Sequence, residues 1–285
     1  MLRLTTIITL MLALSGSLHC HAQQSECKTG ILLVHYGTQN DASRKATIER
    51  LDSIVAAEFP CCRVVEAYTA GSVIKALGAR GIKKLTISEG LDSLKAAGCS
   101  RIAVQSTMLL DGNMTDLIKA AVKDARSNFD KIALGRPLLY TVDDCRNMVE
   151  MIERHLLADK TLDAQKAQVV LVGHGSDSPA NAMYSQIDYI LKDEGRSLWH
   201  VGTIEGYPTL DTVKRQLQKS RVKHVVLVPL LYIAGNHQRD DIAGHWQAEL
   251  EKCGYTVSTV SCGLGEMDEV CQLIIGNIKK AIKAI

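Results

Sequence analysis

The chain repeats itself, and that repeat restricts its fold more than any other feature. ILLVHYGTQND at residues 31 to 41 returns as VVLVGHGSDSP at 169 to 179. Each is an apolar run ending in a small glycine turn with a hydroxyl residue after it. EAYT at 66 to 69 is matched by EGYP at 205 to 208, and RIAVQSTMLLDGNM at 101 to 114 by HVVLVPLLYIAGNH at 224 to 237. Three matches in the same order indicate an internal duplication. A continuous apolar run is what a strand covered on both faces requires. Helical spacing follows in each half: Ile48, Leu51, Ile54 and Val55 in the first, and Met183, Ile187, Ile190 and Leu191 in the second. In the second, Ser178 is placed as an N-cap with Pro179 at the first helical position. The expected fold is α/β, with two similar Rossmann-like halves, residues 23–140 and 141–285, whose parallel sheets face across a cleft. The closing stretch, Glu266 to Ile285, has one apolar helical face and is expected to cross back onto the first half.

Aligning the halves sets Tyr36 against His174, Glu66 against Glu205 and Met114 against His237. Two imidazoles and a carboxylate suit a divalent transition metal and leave coordination positions open. All three follow predicted strands, at the edge where open α/β sheets bind ligands. One working site per chain is expected, with His174, Glu205 and His237 as metal ligands and catalytic groups. The first half is longer between its Glu and its glycine loop by about 16 residues within Ala70 to Lys95. Gly78, Gly81, Gly90, Arg80, Lys83 and Lys84 there suit either a mobile flap or a solvated loop. His35, His155, His200, His224 and His245 read as structural or solvated. Ser176 follows a glycine turn, but the G-x-S-x-G elbow of hydrolases is absent. Gly-rich phosphate loops are absent too, so no nucleotide is expected.

Residues 1–22 read as a secretory signal: Arg3 as the charged region, Ile7 to Leu14 as an apolar core, and Cys20-His21-Ala22 as the exit. The expected location is periplasmic or otherwise exported. Lipidation at Cys20 is disfavoured by the poor Ser17-Leu18-His19 context. No later segment has the run of roughly 18 apolar residues that a membrane span requires. The formal net charge of +2 carries no nucleic-acid signature. Of nine cysteines, removal of Cys20 leaves eight, which permits disulfides without selecting a pairing. A homo-oligomer is left open.

These strings resemble the class II tetrapyrrole chelatases, most closely the anaerobic-type sirohydrochlorin cobalt chelatases of the CbiK kind. The likeness runs from ILLVHYGT through EAYTAGSVIKAL, AVQSTMLLDG, GRPLL, VVLVGHGSDSPANAMY and VGTIEGYPTLD to VPLLYIAGNHQRDDIAG and CGLGE. It implies a lyase of cobalamin biosynthesis that inserts a divalent metal into sirohydrochlorin or a related tetrapyrrole without ATP. Cobalt is the metal it favours, with iron, nickel or zinc as others, and the metal is a bound substrate. His174, Glu205 and His237 map onto the family's metal site. Tyr36, Arg44, Arg80, Gln105 and Arg239 are candidates for the rim of the tetrapyrrole. The export signal departs from cytosolic tetrapyrrole synthesis, so a haem, tetrapyrrole or metal carrier using the same cleft is the alternative.

Overall fold

The apolar runs become the central strands of two parallel sheets. The structure is a computed structural model describing residues 28–158 and 166–285. The expected signal, residues 1–22, and Cys27 lie outside the described residues. The first half comprises β1 (Thr29–His35), α1 (Asp41–Arg44), α2 (Arg50–Glu58), β2 (Arg63–Tyr68), α3 (Gly71–Ala79), α4 (Ile87–Ala96), β3 (Arg101–Ser106), α5 (Asn113–Ala125), β4 (Lys131–Leu134) and α6 (Val142–Ala158). The second comprises β5 (Gln168–Gly173), α7 (Ala182–Asp193), β6 (Trp199–Thr203), α8 (Leu210–Leu217), β7 (His224–Leu230), α9 (Gln247–Lys252), β8 (Thr256–Thr259) and α10 (Asp268–Ala284). Strand order is β2-β1-β3-β4 in one sheet and β6-β5-β7-β8 in the other. The duplication is therefore also one of topology.

Alternation along each central strand distributes the core. Ile31 and Leu33 of β1 and Val169 and Leu171 of β5 enter one shared cluster. Leu32 and Val34 turn to a second cluster and Val170 and Val172 to a third, as the period of two requires. Met148 and Ile152 of α6 and Ile274 and Ile278 of α10 fill the shared cluster, which joins the halves. The closing helix α10 does cross back. It packs on β3 and β4, and Arg101 donates to the Ile285 carbonyl at 2.8 Å.

Backbone hydrogen bonds correct one of the three sequence matches. In the first half, Thr69 N–H donates to the His35 carbonyl at 2.9 Å and Ala70 N–H to that of Tyr36 at 3.2 Å. In the second, Ile204 N–H donates to Gly173 at 2.9 Å and Glu205 N–H to His174 at 2.7 Å. The structural counterpart of Glu205 is thus Ala70, and Glu66 is not. Glu66 lies inside β2 opposite Leu33 and pairs with Lys84 at 2.7 Å. The strings EAYT and EGYP are locally alike, but strand pairing decides which residues correspond. The other matches hold: Val34 pairs with Ser106 as Val172 pairs with Pro229, which leaves Met114 and His237 equally far beyond.

The same accounting locates the extra segment. Tyr68 N–H donates to Leu85 at 2.8 Å, and Thr203 N–H to Pro208 at 2.7 Å. Thr86 and Thr209 then cap α4 and α8. The additional residues lie between Ala70 and Leu85; Gly71–Ala79 fold as the helix α3 where a flap or loop was expected, whereas Gly81 and Lys83 do lie in an exposed loop. Val73 and Leu77 are buried with Ile48 and Tyr68, and each fully buried aliphatic side chain contributes about 1.5–3 kcal/mol. Arg80 donates to the Gln39 carbonyl at 2.8 Å and pairs with Asp41. Gly90 belongs to α4, where a Cβ would stand 2.7 Å from Leu32.

Candidate functional site

Three strand ends of the second sheet converge on one edge. His174 follows β5 at once, Glu205 stands just beyond β6, and His237 opens a π-helical segment, His237–Trp246, after β7. Such π-wound turns recur at functional sites. The turn after His174 depends on Gly175, whose φ of +93° favours glycine. A Cβ there would lie 2.0 Å from the Glu205 carbonyl oxygen, so the loops that carry His174 and Glu205 cross at a point only hydrogen can occupy. Gly37 holds the mirrored turn with φ +99°. Beneath His174, the ring of Tyr184 fills the space a Cβ on Gly173 would take, at 2.2 Å. Burial raises the Tyr184 hydroxyl above its ordinary range, and the nearby backbone of Gly175 and His174 offsets part of that rise.

His174 and His237 come together edge to face, with ring centroids 4.8 Å apart and planes at 88°. The His174 Nδ1 lies 3.1 Å from the Gly175 carbonyl, and the His237 Nδ1 lies 2.8 Å from Asp241 Oδ2. A carbonyl and a carboxylate only accept, so each Nδ1 is a donor. In the neutral ring each Nε2 then carries a lone pair available to a metal. Glu205 is exposed and does not join the pair. Among the described residues no three His, Cys, Asp or Glu side chains are close enough to enclose a metal. Of the three expected ligands, the structure brings the two imidazoles together and leaves the Glu205 carboxylate exposed beside them. The reason is electrostatic: an ionised carboxylate and two Nε2 lone pairs are all acceptors, and only a cation between them makes the approach favourable.

The first half closes over this edge. Asn113 donates to Asp177 at 2.9 Å, and a Cβ on Gly112 would stand 3.2 Å from Ser178 Oγ. Reciprocally, Ile233, in the loop before His237, packs on the first-half cluster of Ile48 and Tyr68. A cavity of about 360 Å³ is lined by Ile204, Asp211, Lys214, Asp241, His245 and Glu249 among others.

The expected rim residues separate. Tyr36 is half exposed at the strand end that mirrors His174. Arg44 is buried, pairing with Asp41 at 2.8 Å and Glu49 at 2.9 Å, because its helix turns that position inward. Gln105 is also buried; its amide donates to the carbonyls of Ser106 at 2.8 Å and Arg136 at 3.0 Å. Neither is a rim contact. Arg80 is held by Asp41 on the outer helix, and Arg239 pairs with its neighbour Asp240 at 2.7 Å. Ser176 bonds Ser178 at 2.9 Å, which gives it no general base. Cys145 is buried, and burial pushes its thiol up to about 11. Asp241, which accepts from His237 Nδ1, is the side chain at this edge that the sequence reading did not single out. Its signal was the i,i+4 spacing from His237 on a helix.

The chain is similar to known proteins along most of its length. The family model described as cobalt chelatase (CbiK) matches residues 29–283. A sirohydrochlorin cobaltochelatase from Salmonella typhimurium is 27% identical over 260 residues, covering 90% of this chain and 97% of that protein. Sirohydrochlorin cobaltochelatase CbiKC from Nitratidesulfovibrio vulgaris is 28% identical over 264 residues, covering 90% and 92%. The Bacillus subtilis SirB structure with Fe3+ superposes with a TM-score of 0.68 at 19% identity, covering 89% of this chain and 95% of that one. A cobalt complex of SirB from Bacillus subtilis subspecies spizizenii gives 0.59 at 17% identity, covering 90% and 95%. At these identities the structural likeness concerns the fold.

Proposed function

Because this chain belongs to the cobalt chelatase (CbiK) family, we propose that it inserts cobalt into sirohydrochlorin, with His174 and His237 holding the metal substrate. The observation that carries this reading is the pair of imidazoles at 4.8 Å, each with Nδ1 engaged as a donor. Two Nε2 ligands leave most of a coordination sphere for water and then for the macrocycle nitrogens. Metallation also releases two pyrrolic N–H protons. A neutral imidazole and the exposed Glu205 carboxylate are the bases at hand, and Glu205 adds negative charge that favours the incoming cation. His and carboxylate ligands discriminate poorly among late divalent ions, so iron, nickel and zinc compete with cobalt. Tyr36 presents an aromatic face at the mirrored strand end for the planar ring.

The test is anaerobic incubation of the protein with sirohydrochlorin and Co2+, following the absorption spectrum of the macrocycle. Protein-dependent metallation is expected. Tight haem binding without turnover on any of Co2+, Fe2+ or Ni2+ would replace the enzyme with a carrier. Export is part of the same proposal, resting on the Arg3, Ile7 to Leu14 and Cys20-His21-Ala22 pattern. N-terminal sequencing of the native protein checks it, and an intact Met1 sinks it.

A further inference from the structure

The two imidazoles are oriented by different means. His174 is held by the carbonyl of the next residue, Gly175, so its Nδ1 acceptor is built into the turn. No backbone acceptor does this for His237. The Ala234 carbonyl in its loop takes the Gln238 N–H at 3.0 Å. The acceptor at the His237 Nδ1 is the Asp241 carboxylate, four residues on along the π-helical segment and 2.8 Å away. We infer that Asp241 is a positioning residue of the metal site: by accepting the Nδ1 proton it holds His237 in the tautomer and ring orientation that keep the Nε2 lone pair for the metal. The inference rests on the chelatase reading and assigns it a residue outside the proposed ligands.

Three observations separate this from an ordinary surface ion pair. First, Asp241 has no lysine or arginine partner within ion-pair distance among the described residues, although Arg239 is close in sequence. Arg239 pairs with Asp240 instead, through two bonds of 2.7 Å. Secondly, the internal duplication supplies a control. With Met114 as the counterpart of His237, the counterpart of Asp241 is Ile118, which is fully buried. Where the first position is apolar the second is apolar, and where the first is an imidazole the second is a carboxylate. Thirdly, the chemistry matches what metal-binding histidines need. A neutral imidazole without a fixed Nδ1 acceptor can place its proton on either nitrogen, and the Nε2–H form cannot ligate through Nε2. Carboxylate partners of this kind set tautomer, orientation and ligand basicity, and their loss costs about 10- to 100-fold in metal affinity.

The experiment is Co2+ titration of the full chain, by calorimetry and visible ligand-field spectra, for the wild type, Asp241→Ala, Asp241→Asn and His237→Ala. Imidazole 15N NMR of the metal-free proteins reports the tautomer. Asp241→Ala is expected to weaken Co2+ binding about 10- to 100-fold and to remove the Nδ1–H signature of His237 while leaving that of His174. Asp241→Asn, whose amide oxygen still accepts, is expected to recover part of both. If Asp241→Ala leaves affinity and tautomer unchanged while His237→Ala loses binding, Asp241 does not position the ligand and the chelatase site stands without it. If His237→Ala itself leaves Co2+ affinity unchanged, the underlying metal-site reading is wrong and the role of Asp241 falls with it.

Discussion

The first half and the second half lay down the same backbone and put opposite chemistry on it. Strand order, the left-handed glycines Gly37 and Gly175, and the hydrogen bonds from Ala70 to Tyr36 and from Glu205 to His174 all correspond. At the strand ends the first half presents Tyr36, Ala70, Met114 and Ile118, and the second presents His174, Glu205, His237 and Asp241. In the first half Ala70 opens the added helix α3 and Ile118 is part of the outer core, while Tyr36 stays half exposed. The second leaves His174, Glu205, His237 and Asp241 partly or fully exposed. A duplicated scaffold thus supplies geometry twice, and a few side chains at fixed backbone positions set the copy with the proposed metal site apart from the other.

The sharpest way to break this comparison is to exchange the weight of the two copies. His174→Ala or His237→Ala should lower Co2+ affinity by more than the about 100-fold that loss of an outer partner costs, and metallation should vanish. Tyr36→Phe and Met114→Leu at the mirrored positions should leave affinity within about a factor of three, a change worth under 1 kcal/mol. Calorimetric titration of the four variants decides, and equal losses in both halves would abolish the distinction.

A smaller effect separates the halves by pH. His200 in β6 faces Val170, whereas the corresponding residue opposite Leu32 in β2 is Val65. Burial, reinforced by nearby Lys192, depresses the His200 imidazole to about 4. Its folded form therefore stays neutral while the unfolded chain takes up a proton below about 6.5. The stability tied to the neutral ring is complete above that value and is lost as pH falls towards about 4, on the order of 3 kcal/mol in total. Unfolding measured between pH 7 and pH 4 should show this slope in the wild type and a shallower one in His200→Gln. Identical slopes would remove His200 from the account.

The smallest effect belongs to the first half alone. Lys84 and Glu66 are partly buried and joined at 2.7 Å, which ties the end of the α3 segment to β2. Lys84→Met leaves that carboxylate without its partner and should cost about 1–2 kcal/mol without changing Co2+ affinity. A denaturant melt beside a metal titration checks both halves of that statement, and a weakened metal site would mean that the added helix supports the second-half chemistry.

Much of this was legible in the chain itself, because strand and turn signals are local. Four consecutive apolar residues and a glycine turn are enough to mark β1 and β5, and a residue directly after such a strand, like His174, has its place at the sheet edge settled by chain geometry. The place of His237 was legible for the same reason, since its distance beyond Pro229 in β7 repeats that of Met114 beyond Ser106 in β3. Other features depended on contacts between residues far apart in sequence. The counterpart of Glu205 was decided by interstrand register, which exchanged Glu66 for Ala70. Arg44 and Gln105 look like surface groups in a string of letters, and only the packing of helices and neighbouring strands buries them. The 4.8 Å approach of His174 and His237, the exposed stance of Glu205 and the bond from His237 to Asp241 likewise arise only in the fold. A repeated sequence determines a repeated backbone path through short-range sterics and burial, whereas the direction each side chain takes from that path is a balance of long-range packing and electrostatics that tertiary structure alone resolves.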